Sequence, residues 1–195
     1  YGDHRDLHSF PARRSSDLAL TSTGAVYAWG DNWAGQLGDG TTTSRTTPTL
    51  VTALSGQTVT AVAAGGSHSL ALTSTGAVYA WGNNGDGQLG DGTTTQRLTP
   101  TLVTGLSGQT VAAIEAGDTH SIVLTSTGAV YAWGYNGYGQ LGDGSGETRL
   151  VPTYVLGLND QTISAIAVGG DHSLALTSTG AVYAWGNNGD GQLGD

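Results

Sequence analysis

Residues 66–92 read GSHSLALTSTGAVYAWGNNGDGQLGDG, and this stretch returns along the chain. Trp29, Trp81, Trp133 and Trp185 stand 52 residues apart, as do Pro48, Pro100 and Pro152, and Arg45, Arg97 and Arg149. His68, His120 and His172 keep the same spacing, and residues 68–91 and 172–195 are identical. From Ala19 to Asp195 the chain is one 52-residue unit in about 3.4 tandem copies, none longer or shorter than another. A fixed period of this kind means that one supersecondary unit is stacked on copies of itself.

The copy 98–149 reads as short strands. Thr101 to Leu106 (TLVTGL) follows a proline, and Thr110 to Ala116 (TVAAIEA) ends at Gly117. His120 to Thr125 (HSIVLT) alternates, with Ile122 and Leu124 on one face; Ala129 to Trp133 (AVYAW) is β-branched and aromatic at alternate positions. Between the last two, Ser126-Thr127-Gly128 is a tight turn whose glycine supplies a positive φ. No window repeats apolar residues at i, i+3, i+4 and i+7, so helices are not expected. Four antiparallel strands in about 50 residues make a propeller blade, so the expected fold is all-β, a β-propeller of four-stranded blades. The units are expected at 19–45 (partial), 46–97, 98–149 and 150–195 (truncated).

The Gly-x-x-His, Tyr-x-Trp-Gly and Gly-Gln-Leu-Gly elements, in that order and recurring, resemble the regulator-of-chromosome-condensation repeat in its bacterial-type form, over 19–195. The resemblance implies a seven-bladed ring, of which this chain holds about half, and a non-catalytic protein-interaction module that is a fragment of a larger repeat protein. Guanine-nucleotide exchange on a small GTPase is the alternative within the family; it is associated with a protruding hairpin wedge, which the strict 52-residue spacing leaves no insertion to form. A photoreceptor branch clusters tryptophans beside arginines, whereas here each Trp-Gly is followed by Asp, Asn or Tyr. A second alternative makes the repeats a binding domain attached to a carbohydrate-active or other enzyme outside this fragment.

Tyr1 to Leu18 (YGDHRDLHSFPARRSSDL) breaks the repeat, with Ser16 where a histidine is due. It resembles the translation of a sequencing-library adapter at every residue but Ala12, so 1–18 is expected to be an artefact and the native start to be missing. Asp195 falls in mid-loop, so the far end is expected to be cut as well.

Composition excludes several functions. The net charge is −9, and all six cationic residues are arginine, so no basic stripe is present to track nucleic-acid phosphates. Without cysteine there is no disulfide, thiol nucleophile or cysteine-zinc site. The longest aliphatic or aromatic runs, such as Ala77 to Trp81, fall far short of the ~20 residues of a membrane span, so no membrane insertion is expected. A Thr/Gly/Asn-rich, lysine-free, acidic chain suggests a secreted or surface protein, and the expected location is extracellular or cell-surface.

Most candidate sites have a plain structural role. One histidine per blade (His68, His120, His172) cannot supply three or four converging zinc ligands; each is expected to bond a turn of its own or the neighbouring blade. Trp29, Trp81, Trp133 and Trp185 are likewise expected to be structural. Asp118-Thr119-His120-Ser121 holds the residue types of a hydrolase triad, but strand neighbours point to opposite faces. Asn83 to Gly92 resembles a calcium loop, yet Thr94 stands where a bidentate glutamate is required. No metal, cofactor or catalysis is expected. Interaction residues are sought in the long loop after each tryptophan, where Trp33, Tyr135 and Tyr138 are large aromatics at positions other copies fill differently. The protein partner is not named by the sequence, and the fragment is expected to self-associate through its end blades.

Overall fold

A strand such as HSLALT can be buried on both faces only when sheets flank it on either side. The computed structural model, which describes residues 16–194, is built in that way. Strands β1 (Ser16–Leu20), β2 (Val26–Gly30) and β3 (Arg45–Leu50) form a three-stranded antiparallel sheet. Next come two four-stranded blades. The first holds β4 (Val59–Ala64), β5 (His68–Thr73), β6 (Val78–Gly82) and β7 (Arg97–Leu102). The second holds β8 (Val111–Ala116), β9 (His120–Thr125), β10 (Val130–Gly134) and β11 (Arg149–Tyr154). Strands β12 (Ile163–Val168), β13 (His172–Thr177) and β14 (Val182–Gly186) make a last, three-stranded sheet. Because β4, β8 and β12 touch from sheet to sheet, they lie innermost, and β3, β7 and β11 are the outer edges. The all-β expectation of four-stranded antiparallel blades in part of a propeller is met.

Two readings of the chain differ from it. TLVTGL is not one strand: β7 ends at Leu102, and Thr104–Leu106 is a single 3₁₀ turn, as is Thr52–Leu54. Pro100 lies inside β7, on the blade's outer edge, where its missing N–H costs little, and the β6–β7 register shifts between Ala80 and Gly82 nearby. The strand around the proline therefore closes the blade before it rather than opening the next, and Val103 N–H donates back to Val78 O at 2.9 Å. The adapter-like reading of 1–18 lies for residues 1–15 outside the described residues. Its last three residues, however, belong to the fold: Ser16, Asp17 and Leu18 pair with Gly30, Trp29 and Ala28 in β1 and β2. Leu18 falls where later copies carry Leu70 and Ile122, and it packs on the core between the first two blades.

The alternation in β5 and β9 does not separate core from solvent, since every position of both strands is buried. It separates one neighbour from the other. Val26, Ala28 and Leu37 of the first blade meet Ala71 and Trp81 of the second. Leu70, Leu72 and Val78 of the second meet Val123 and Trp133 of the third, and Ile122, Leu124 and Val130 of the third meet Ala175 and Trp185. The hydrophobic cores lie between blades, so no blade has a core of its own.

Turn glycines set the limits of this packing. Gly90 has φ +68°, and a Cβ built there would sit 2.7 Å from Trp133 Nε1; Gly108 has φ +83° with nothing within 4 Å. Gly108→Ala is expected to cost only the left-handed backbone penalty, about 1–2 kcal/mol. Gly90→Ala adds overpacking against a buried ring, for about 3 kcal/mol or more. Urea unfolding of the two variants checks this, and equal costs would mean the tryptophan can yield.

Candidate functional site

Each blade is fastened to the one before it by its tryptophan. The glycine that follows takes φ +103° at Gly82 and +104° at Gly134, a conformation that favours glycine. Trp81 Nε1 donates to Gln36 O at 2.9 Å, Trp133 to Gln88 O at 2.9 Å and Trp185 to Gln140 O at 2.9 Å. The same carbonyls accept a second bond, from Ser69 Oγ at 2.8 Å, Ser121 Oγ at 2.8 Å and Ser173 Oγ at 2.9 Å. Both lone pairs of each glutamine carbonyl are thus filled from the next blade. Trp81 and Trp133 are fully buried, whereas Trp29 and Trp185, on the end blades, are half-buried.

The histidines complete this connector. His68 Nε2 lies 2.9 Å from Ser121 Oγ, and His120 Nε2 lies 3.0 Å from Ser173 Oγ. The serine proton is already spent on the glutamine carbonyl, so the imidazole must donate. Both histidines are therefore neutral Nε2–H tautomers, and Nδ1 of each is buried without a partner. Burial, followed by the neighbouring histidine, pushes His68 down to about 3 and His120 down to about 4. The expected partner in a turn is corrected: the partner is a serine on the central strand of the next blade. The Gly-x-x-His element follows from the same contact, since a Cβ at Gly65 would sit 2.5 Å from His68 Cε1. Ser16 stands where the first blade would need this histidine, and its Oγ is buried without a partner.

A histidine–serine bond is also the heart of a hydrolase, but its polarity here is reversed. The imidazole donates to the hydroxyl instead of taking its proton, and His68, His120, Ser121 and Ser173 are fully buried. His120 and Ser121, adjacent in sequence, serve different interfaces. Among the described residues no group of three or more His, Cys, Asp or Glu is placed to hold a metal ion.

Sequence reasoning missed the residues that shape the long loop. Asn84, fully buried, donates through Nδ2 to Thr93 O at 2.9 Å and Thr95 O at 3.1 Å, while its Oδ1 accepts Leu89 N–H at 3.0 Å. Asn32 and Asn136 do the same in their blades. Asp91 binds Arg97 at 2.6 Å and accepts from Thr93 Oγ1 at 2.7 Å. Burial works against its charge, but the bonds from Thr93 and Arg97 outweigh it and hold the carboxyl below its usual range; Asp39 is held in the same way by Thr41 and Arg45, and Asp143 by Arg149 and Ser145. The recurrence of asparagine, aspartate and arginine at 52-residue spacing was the available signal. Far from being an unpatterned tether, this loop is pinned at both ends and through its middle.

On this pinned loop the three aromatics part ways. Trp33 is 60% exposed and Tyr138 is 54% exposed. Tyr135 is half-buried, folds its ring over Gly137 and meets Tyr138 edge-on with centroids 6.1 Å apart. Tyr135 replaces a capping residue: Asn83 and Asn187 at the same position accept the N–H of Gly85 and Gly189 at 2.9 and 2.8 Å.

A family model described as RCC1-like domain matches residues 6–195. The chain is 41% identical over 177 residues to the ultraviolet-B receptor UVR8 of Arabidopsis thaliana, covering 91% of this chain and 40% of the receptor. It is 42% identical over 183 residues to the human E3 ubiquitin-protein ligase HERC2, covering 93% of this chain and 4% of the ligase. Its fold superposes on the crystal structure of human WBSCR16 with a TM-score of 0.83 at 32% identity, over 92% of this chain and 47% of that one. The chain thus spans less than half the length of these proteins. They are plant and human, and lend no support to a bacterial-type origin. The expected extracellular or cell-surface location is overturned by them, since the receptor and the ligase are intracellular. An acidic, cysteine-free composition suits a reducing compartment as well as an oxidising one.

The connector carries a pH signature. Unfolded histidine binds a proton near pH 6.5, whereas His68 and His120 in place resist doing so until about 3 and about 4. Their contribution is therefore complete above about pH 6.5 and is lost as pH falls toward 4, by up to about 1.4 kcal/mol per pH unit for each. Asp171, raised by burial and by Asp118, works in the opposite direction at the acid end. Denaturant titrations between pH 4.5 and 7.5 should show this slope, and His120→Gln should remove about half of it. A flat profile would mean that the imidazoles protonate in place.

Proposed function

The chain belongs to the family of RCC1-like domains, non-catalytic propeller modules set within larger proteins, and on that premise we propose that it binds a protein partner through the loop face that carries Trp33 and Tyr138. One observation carries this reading: two large rings are held in solvent by loops that are otherwise pinned. Copies with Gly85 and Gly189 in place of Trp33, or Asp86 and Asp190 in place of Tyr138, build the same loop, so neither ring serves the fold. The bond given up at Tyr135 points the same way. Rigid aromatics lose little entropy on binding and make good interface anchors. We further propose that 1–18 is adapter-derived, a reading supported by the fit of every residue but Ala12 and one that accounts for Ser16 at the position of a connector histidine.

The test is a pair of variants that install residues the other copies carry. Trp33→Gly and Tyr138→Asp should each leave the unfolding free energy within about 0.5 kcal/mol of the parent. A partner retained by the immobilised parent should be bound about tenfold or more weakly by the double variant. Retention unchanged by both substitutions would move the interaction surface elsewhere.

A further inference from the structure

In a chain whose copies are nearly alike, a residue unlike its counterparts is one the fold does not require, and several such residues meet in one place. Asp118 stands where the copies on either side carry Gly66 and Gly170, Tyr135 where they carry Asn83 and Asn187, and Tyr138 where they carry Asp86 and Asp190. Hydrogen bonds draw these positions together at the junction of the third and fourth sheets. Tyr138 N–H donates to Gln140 Oε1 at 3.0 Å, and Nε2 of the same amide donates to Asp171 Oδ1 at 3.4 Å. Tyr135 N–H donates to Thr119 O at 3.0 Å, which fastens the tyrosine loop to the turn between β8 and β9. Asp118, exposed on that turn, lies over the turn between β12 and β13, its Oδ2 2.9 Å from where a Cβ on Gly170 would stand. The loop that carries the edge-on pair Tyr135 and Tyr138 thus shares one notch with Asp118 and Asp171.

The notch carries a surplus of negative charge. Burial and then Asp118 push the Asp171 carboxyl up, and His172 offsets only part of this. Among the described residues the arginines are Arg45, Arg97 and Arg149, each already held by an aspartate of its own loop, so none is left to neutralise the pair. Nor does the stacking of blades call for a carboxylate at position 171: one junction earlier the position is Thr119, and Gln88 Nε2 is buried without a partner. Two carboxylates make a poor metal site, and no third ligand stands by them among the described residues. We propose that the notch receives an arginine side chain of the protein partner, its guanidinium forked between Asp118 and Asp171 and stacked against Tyr138. This rests on the reading that the loop face binds a protein, and it names what that partner must present. A guanidinium suits both features, since it bonds carboxylates in pairs and lies flat on an aromatic ring, whereas an ammonium offers neither fork nor plane.

The experiment titrates the ¹⁵N-labelled 195-residue chain at low salt with a capped Gly-Arg-Gly tripeptide, and with analogues carrying lysine or citrulline in place of arginine. The arginine peptide should saturate at millimolar concentration and shift the amide signals of Asp118, Tyr138 and Asp171. The lysine peptide should bind about fivefold more weakly, and the citrulline peptide, which keeps the shape and lacks the charge, should shift nothing. Asp118→Gly and Asp171→Ser install residues that other copies carry, so each should keep its circular dichroism and lose about tenfold in affinity for the arginine peptide. No saturable shift, equal shifts from citrulline and arginine, or unchanged affinity in both aspartate variants would overturn the proposal. The loop-face reading is judged apart from it. A partner released by Trp33→Gly and Tyr138→Asp, yet indifferent to Asp118→Gly and Asp171→Ser, would leave that reading standing and the arginine notch refuted.

Discussion

Everything in this fold depends on one oxygen per blade. The carbonyl of Gln36, Gln88 or Gln140 takes two hydrogen bonds from the following blade, from a tryptophan and a serine, and at Gln88 and Gln140 that serine is in turn held by the histidine of its predecessor. A blade with no core of its own has little reason to fold alone, and each bond of this kind contributes on the order of 1 kcal/mol. Their weight lies more in geometry. Buried polar groups tolerate a single arrangement, because any other would leave several of them without partners. The connector therefore fixes how each sheet is set against the next.

The fixed stacking is what allows the loops to be rigid. The glutamine lies in the Gly-Gln-Leu-Gly segment, so fastening its carbonyl to the next blade also fastens the base of the long loop. Asn84 and the Asp91–Arg97 pair hold the rest, as their counterparts do in the other blades. Arg45, Arg97 and Arg149, each the first residue of an outer strand, are consumed in these pairs, and among the described residues no other arginine occurs. The result is a stiff polar platform on which single positions can change without cost to the fold. Trp33 and Tyr138 occupy such positions.

Much of the fold was legible because a strict period makes each copy a control for the others. The hairpin HSIVLT–STG–AVYAW was read nearly to the residue, and Gly128 takes the expected positive φ, at +87°. What the sequence conceals is the neighbour. Alternation says that Ile122 and Ser121 face opposite ways, but not that both ways lead to protein. A serine and a histidine 53 residues apart carry no local mark of being bonded. The outer strand reads as part of the following unit for the same reason, since its pairing with β6 is decided by packing across the proline. The buried asparagines were hidden in a segment whose composition reads as turns, though their invariance beside drifting positions such as 31, 83 and 135 was a usable sign.

The central claim is that neutral histidines donating from Nε2 lock blade to blade, and imidazole nitrogen NMR reads this directly. Long-range proton–nitrogen spectra of the ¹⁵N-labelled chain should show His68 and His120 with a protonated Nε2 and a bare Nδ1. Both should remain so as pH is lowered through 6.5 to about 5, with the Nε2 proton slow to exchange. Imidazoles protonated at Nδ1, or titrating near pH 6.5 like exposed histidines, would contradict the account.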